Sequence, residues 1–151
     1  VVKAITAAAR RIHEARRIVV LAQGSIASVG IALAPVIAVA GHDAHHIADP
    51  AVLANTLAHL EPGDLLVAVN CWQIYTSTLE ALQVADSNGV GSVIITGSGT
   101  PLLGNSETLQ IALPSEGVGF FPSLVAALSV AQAIVVELST IDPAATREAL
   151  T

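Results

Sequence analysis

Seven consecutive residues, Asn70-Cys71-Trp72-Gln73-Ile74-Tyr75-Thr76, concentrate this chain's capacity for recognition chemistry. The amides of Asn70 and Gln73 and the hydroxyl of Thr76 both donate and accept hydrogen bonds, while Trp72 and Tyr75 offer flat apolar faces with a polar edge. That set suits a small polar ligand with an apolar face. Asn70 and Gln73 are expected to bind it, and Trp72 and Tyr75 either to stack on it or to pack between copies of the chain. Gly24 and Ser25 form a second candidate cluster, with Gly24 permitting a tight turn and Ser25 placed either to touch a ligand or to cap the next helix. Cys71, the lone cysteine, reads as a small buried hydrophobe rather than a nucleophile.

Other chemistry is thinly represented. His42, Asp43, His45 and His46 are the only metal-like cluster, and His45 and His46 sit next to each other in a strand pattern, which aims them at opposite faces. No metal and no cofactor is expected. Glu116 is a single carboxylate without a partner at any informative spacing. Neither a phosphate-binding Gly-x-x-x-x-Gly-Lys loop nor a Gly-x-Gly-x-x-Gly fingerprint occurs, and no nucleophilic triad can be assembled from spacing.

The elements that must position these residues alternate. Residues 1–15 carry Ile5, Ala8, Ala9 and Ile12 on one helical face, and 18–21 is a short β-branched run ahead of the Ala22-Gln23-Gly24-Ser25 turn. An apolar helix is expected from Ser25 to about residue 41, then a short strand, Ala44–Ile47, and a helix capped by Asp49 with Pro50 at its first position. Glu61-Pro62-Gly63-Asp64 launches a strand over 65–69, a helix over 76–88 follows with Gly89 at its end, and 92–96 and Thr108–Leu113 are the last strands. A long apolar helix over about 122–138 and a short one opening at Asp142-Pro143 complete the chain. Alternating strands and helices, with runs apolar enough to be buried on both faces, predict a parallel sheet covered by helices. Asn70 to Thr76 would then lie at a strand's carboxyl end, where such sheets bind ligands.

Composition narrows the classes. The chain has 151 residues, of which 53% are apolar and 12% charged, so much of its surface lacks charge and an interface with a second copy or domain is expected. A formal charge of −6, with five of the six basic residues between Lys3 and Arg17, argues against a grip on nucleic acid by this segment. The apolar stretches 26–40 and 117–136 contain Pro and polar residues and read as buried or interface helices, not membrane spans. One cysteine and no leader-like opening make the cytoplasm the expected location.

The order of motifs resembles a sugar isomerase (SIS) domain over nearly the whole chain. The resemblance rests on the Ala-rich opening helix, Ala22-Gln23-Gly24-Ser25-Ile26 after a strand, Pro62-Gly63-Asp64, Thr96, and Thr100-Pro101-Leu102. It implies a flavodoxin-like three-layer α/β/α sandwich with a five-stranded parallel sheet. Where such domains place Ser, Ser, Gly and Thr to admit a phosphate, this chain has Asn70, Trp72, Gln73 and Tyr75, so the phosphate loop is altered. The Trp/Tyr loop and Phe120-Phe121-Pro122-Ser123 resemble the C-terminal effector domain of RpiR-type bacterial transcription regulators. That likeness implies a sugar or sugar-phosphate effector, a homodimer, and DNA contact only through an N-terminal helix-turn-helix domain preceding residues 1–151. The ligand-binding set is then Gly24, Ser25, Asn70, Trp72, Gln73, Tyr75 and Thr76. The alternatives are a phosphosugar isomerase using Glu116 as base, and a degenerate domain that only dimerises.

Overall fold

Five apolar runs hydrogen-bond into one parallel sheet in the computed structural model, which describes residues 1–114 and 123–151. In chain order the strands are β1 (Ile18–Ala22), β2 (Ala44–Ile47), β3 (Leu65–Asn70), β4 (Gly91–Gly97) and β5 (Thr108–Leu113), and across the sheet they lie β2-β1-β3-β4-β5. The central strands β1 and β3 are buried at every position and pair from Ile18 opposite Leu65 to Ala22 opposite Val69. Their two carboxyl ends therefore finish level.

Helices α1 (Val2–Glu14), α2 (Ala27–Val39) and α5 (Val125–Ile141) cover one face, and α3 (Pro50–Ala58) and α4 (Thr76–Ser87) cover the other. A final helix, α6 (Pro143–Leu150), packs against α2 and α5. Consecutive strand residues feed opposite layers. Val20, Val67 and Val69 meet Ile12, Leu33 and Ile134, whereas Val19, Leu21 and Leu66 meet Leu57 and Leu82. Two cores sharing one sheet explain why β1 and β3 are apolar throughout instead of alternating. The α/β/α sandwich expected from the sequence is the architecture observed.

The Pro62-Gly63-Asp64 turn holds the opposite, amino edge of the central strands. The Asp64 side chain has no solvent exposure; its two oxygens accept from Arg16 at 3.1 Å each, and Oδ2 also accepts from Arg17 at 3.3 Å and from the Glu61 N–H at 2.9 Å. Burial pushes its carboxyl up, but the hydrogen bonds from Arg16 and the Glu61 N–H, the Arg16 charge and Arg17 together hold it below the usual carboxylate range. Backbone bonds from Arg16 N–H to the Gly63 carbonyl and from Leu65 N–H to the Arg17 carbonyl lock the same junction.

Asp49 caps α3 as expected, accepting from Ala51 and Val52 N–H, and Gly89 takes the left-handed conformation, φ 68°, just past α4. Ser25 departs from expectation as a cap. After β1 the chain makes a single 3₁₀ turn, Gly24–Ile26, and α2 begins only at Ala27, behind Ile26 and without a side-chain cap among the described residues. The Ser25 carbonyl instead accepts from the Ser28 hydroxyl. The long apolar helix α5 starts later than residue 122 and runs past 138, to Ile141.

Candidate functional site

From β1 the chain passes to α2 on one face of the sheet, and from β3 it passes to α4 on the other. The two connections diverge and leave a crevice between the strands' carboxyl ends, the usual ligand position in an open parallel sheet. A cleft of about 130 Å³ opens there. It is lined by Gln23, Ser25 and Ile26 after β1, by Asn70 through Gln73 and Tyr75 after β3, and by Ser123 and Leu124 ahead of α5. Residues distant in sequence thus converge because three connections end at one edge.

Five of the expected ligand residues, Ser25, Asn70, Trp72, Gln73 and Tyr75, line this cleft. Gly24 lies beneath the Tyr75 side chain, whereas Thr76 lines a separate groove beside α4 with Leu79 and Gln83. Glu116 and the Phe120-Phe121-Pro122 segment lie outside the described residues.

Asn70 is 2% exposed, and its amide shapes the loop from within. Its Nδ2 donates to the Gln73 carbonyl at 2.7 Å, while its Oδ1 accepts from the Tyr75 N–H and from the Thr78 hydroxyl, both at 3.0 Å. One buried amide thereby closes the β3–α4 loop onto the first turn of α4. No side chain caps α4 among the described residues, so its first turn keeps the positive end of the helix dipole without a side-chain partner.

Trp72 is 63% exposed and Tyr75 43% exposed, which presents two aromatic faces at the rim. Tyr75 leans from the head of α4 across to the Gly24 turn. A Cβ on Gly24 would overlap the Tyr75 hydroxyl and lie 3.4 Å from the ring carbon bearing it. Gly24 is required twice over, by this contact and by its φ of 68°. Cys71 is buried at the cleft's back, where burial alone pushes its thiol up to about 11. That thiol is a packing group, in keeping with its sequence reading.

Gln23 was not among the expected binding residues. Its Oε1 accepts from the Ser77 hydroxyl and its Nε2 donates to the Ala48 carbonyl, so it ties the exits of β1 and β2 to the head of α4. Its one sequence signal is a polar side chain directly after a buried strand and beside a turn glycine. Ser123 belongs to the segment that carried the regulator likeness, but neither it nor Leu124 was expected to bind, because their place at the cleft depends on how α5 packs.

The histidines diverge. His45 bonds Asp43 at 2.6 Å on the exposed side, whereas His46 reaches the Ala22 carbonyl at 2.9 Å. That second contact lies against Gly30 of α2, where a Cβ would sit 2.6 Å from the His46 ring. Among the described residues no three His, Cys, Asp or Glu side chains converge to hold a metal ion, and no single helix is long and apolar enough to cross a membrane.

The SIS domain family model matches residues 11–137, and the chain belongs to that family. Its structure is similar to the sugar isomerase domain of an RpiR transcription factor from Sphaerobacter thermophilus, with 26% identity, a TM-score of 0.89, and coverage of 98% of this chain and 83% of that one. It also resembles the Vibrio vulnificus NanR protein, solved in complex with ManNAc-6P, at 22% identity and a TM-score of 0.82, covering 98% of this chain and 57% of that protein. A Bacteroides fragilis protein assigned as a phosphosugar isomerase involved in capsule formation shares 17% identity with a TM-score of 0.80 over 93% of this chain and 80% of that one. No curated protein matches the chain significantly in sequence.

Proposed function

We propose that this chain is the effector-sensing domain of an RpiR-type transcription regulator, binding a sugar or sugar derivative in the cleft between β1 and β3. The observation that carries the reading is the convergence of Ser25, Gln73, Trp72, Tyr75 and Ser123 on that one cleft, at the heads of α4 and α5. Amides and hydroxyls there match a polyol's alternating donors and acceptors, and the aromatic rims match its apolar face. The likeness to an RpiR sugar isomerase domain supports the regulatory role, with DNA contacted by a separate N-terminal helix-turn-helix domain in the cytoplasm.

A homodimer is part of this reading. Helix α2 holds no charged residue and α5 only Glu137, and together they border a groove of about 460 Å³ lined by Leu33, Val36, Leu128, Val135 and Val136. Pairing of two such faces would let a ligand that prefers one dimer arrangement shift the spacing of attached DNA-binding domains.

The test is a thermal-shift titration against sugars, their phosphates and inorganic phosphate, since a ligand selective for the native state must raise its melting temperature. A saturable shift with a sugar-class compound and no turnover of it is the expected outcome. Turnover of an aldose phosphate would replace sensing by catalysis, and no shift across the panel would leave a dimerisation module.

A further inference from the structure

The cleft differs from an anion site in one specific way. An anion drawn to the positive end of α4 would lie at the head of that helix, beside the Gly24 turn. That space holds the Tyr75 ring, whose hydroxyl rests on Gly24 closely enough to leave no room for even a methyl group. We propose that Tyr75 makes this a site for a neutral polyhydroxylated ligand, an unphosphorylated sugar or polyol, by occupying the place a phosphate would take. The inference rests on the sensor reading and narrows it.

Three further observations agree. First, two of the hydroxyls at the head of α4 are already engaged inside the protein: Ser77 donates to Gln23 and Thr78 to Asn70. Second, none of the described lining residues is charged, in a chain of net charge −6, so a phosphate dianion would be desolvated there without a compensating cation. Arg11, Arg16 and Arg17 are held elsewhere, Arg11 by the Ser92 and Glu107 carbonyls and the other two by Asp64. Third, the cleft's 130 Å³ is small beside the roughly 300–1,000 Å³ of a site enclosing a drug-sized ligand, so its volume is limiting.

What remains suits a neutral ring. The exposed Gln73 amide presents an acceptor as well as donors, which a sugar hydroxyl satisfies from both sides and a dianion does not. The Trp72 and Tyr75 faces can cover the C–H face of a pyranose or an inositol.

Calorimetric titration of the protein with hexoses, N-acetylhexosamines and inositols, with their monophosphates, and with inorganic phosphate tests this. The wild type is expected to bind a neutral member at least about tenfold more tightly than its phosphate ester, and inorganic phosphate not at all. Tyr75→Gly, checked for native circular dichroism, should erase or invert that preference, while Tyr75→Phe, which keeps the ring, should retain it. Wild-type protein that binds the ester or inorganic phosphate as tightly as the parent sugar, or a preference unchanged in Tyr75→Gly, overturns the inference and leaves the sensor reading standing. Binding of neither class by wild type or Tyr75→Gly overturns both.

Discussion

Asn70 and Gln73 sit three positions apart in one loop yet act at different levels. Asn70 is buried and bonds only protein groups, so Asn70→Ala leaves the Gln73 carbonyl and Tyr75 N–H without their partner. A loss of about 1–3 kcal/mol in unfolding free energy is expected, together with weaker ligand binding, because the loop loses its shape. Gln73 is exposed, and Gln73→Ala should weaken binding by about 1 kcal/mol while leaving denaturant unfolding unchanged. Equal stability losses in the two variants would contradict this division. Gly24 and Tyr75 provide a second residue-scale test. Gly24→Ala is strained by its positive φ and, separately, by the Tyr75 hydroxyl, so in a Tyr75→Gly background its cost should fall by more than about 0.5 kcal/mol. Strict additivity would show that the ring does not rest on that turn. The sequence made the identity of the loop plain, because polar and aromatic residues interrupt an apolar chain there. It did not reveal that Asn70 faces inward, since an amide at a strand's end serves a ligand or its own loop with the same local pattern.

At the scale of elements, the site depends on two strands ending level, and their amino edge is held by Asp64. The Asp64 carboxyl titrates below its ordinary value of 3.8 in the folded protein, so the unfolded chain binds more protons in that range. Its stabilisation is therefore present at neutral pH and lost as pH falls below about 4, toward the folded value. Asp64→Asn should lower the melting temperature at pH 7, and the wild-type and variant curves should converge in acid; a constant gap would contradict the assignment. Element types and order were legible throughout, because β-branched runs of strand length, Asp-Pro openings and the Pro-Gly-Asp turn are local signals. The start of α2 was not. The 3₁₀ turn that shifts it past Ser25 places Gly24 under Tyr75, and that contact spans two connections far apart in the chain. Gln23, Ser123 and Leu124 escaped for the same reason.

At the scale of the whole molecule, α2 and α5 border a groove whose lining residues carry no charge. Leu128 is 38% exposed in the single chain and borders the groove between these helices, so a charge there meets solvent in the monomer and apolar surface in a dimer. Leu128→Asp is expected to keep native circular dichroism while shifting sedimentation from dimer to monomer. A variant that still sediments as a dimer would move the interface to another face. Composition signalled such a surface through the low fraction of charged residues, but only the packed helices say where it lies. Ser123 and Leu124, just ahead of α5, line the cleft, while Leu128 and Val136 within α5 line the groove. The most direct test of the cleft as the sensing site is a fluorescence titration of Trp72, the sole tryptophan, with the compound giving the largest thermal shift. Saturable change in Trp72 emission with the same midpoint, weakened in Gln73→Ala, is the expected result. A compound that stabilises the protein while leaving Trp72 emission and the Gln73→Ala affinity unchanged would place the ligand elsewhere and contradict the site.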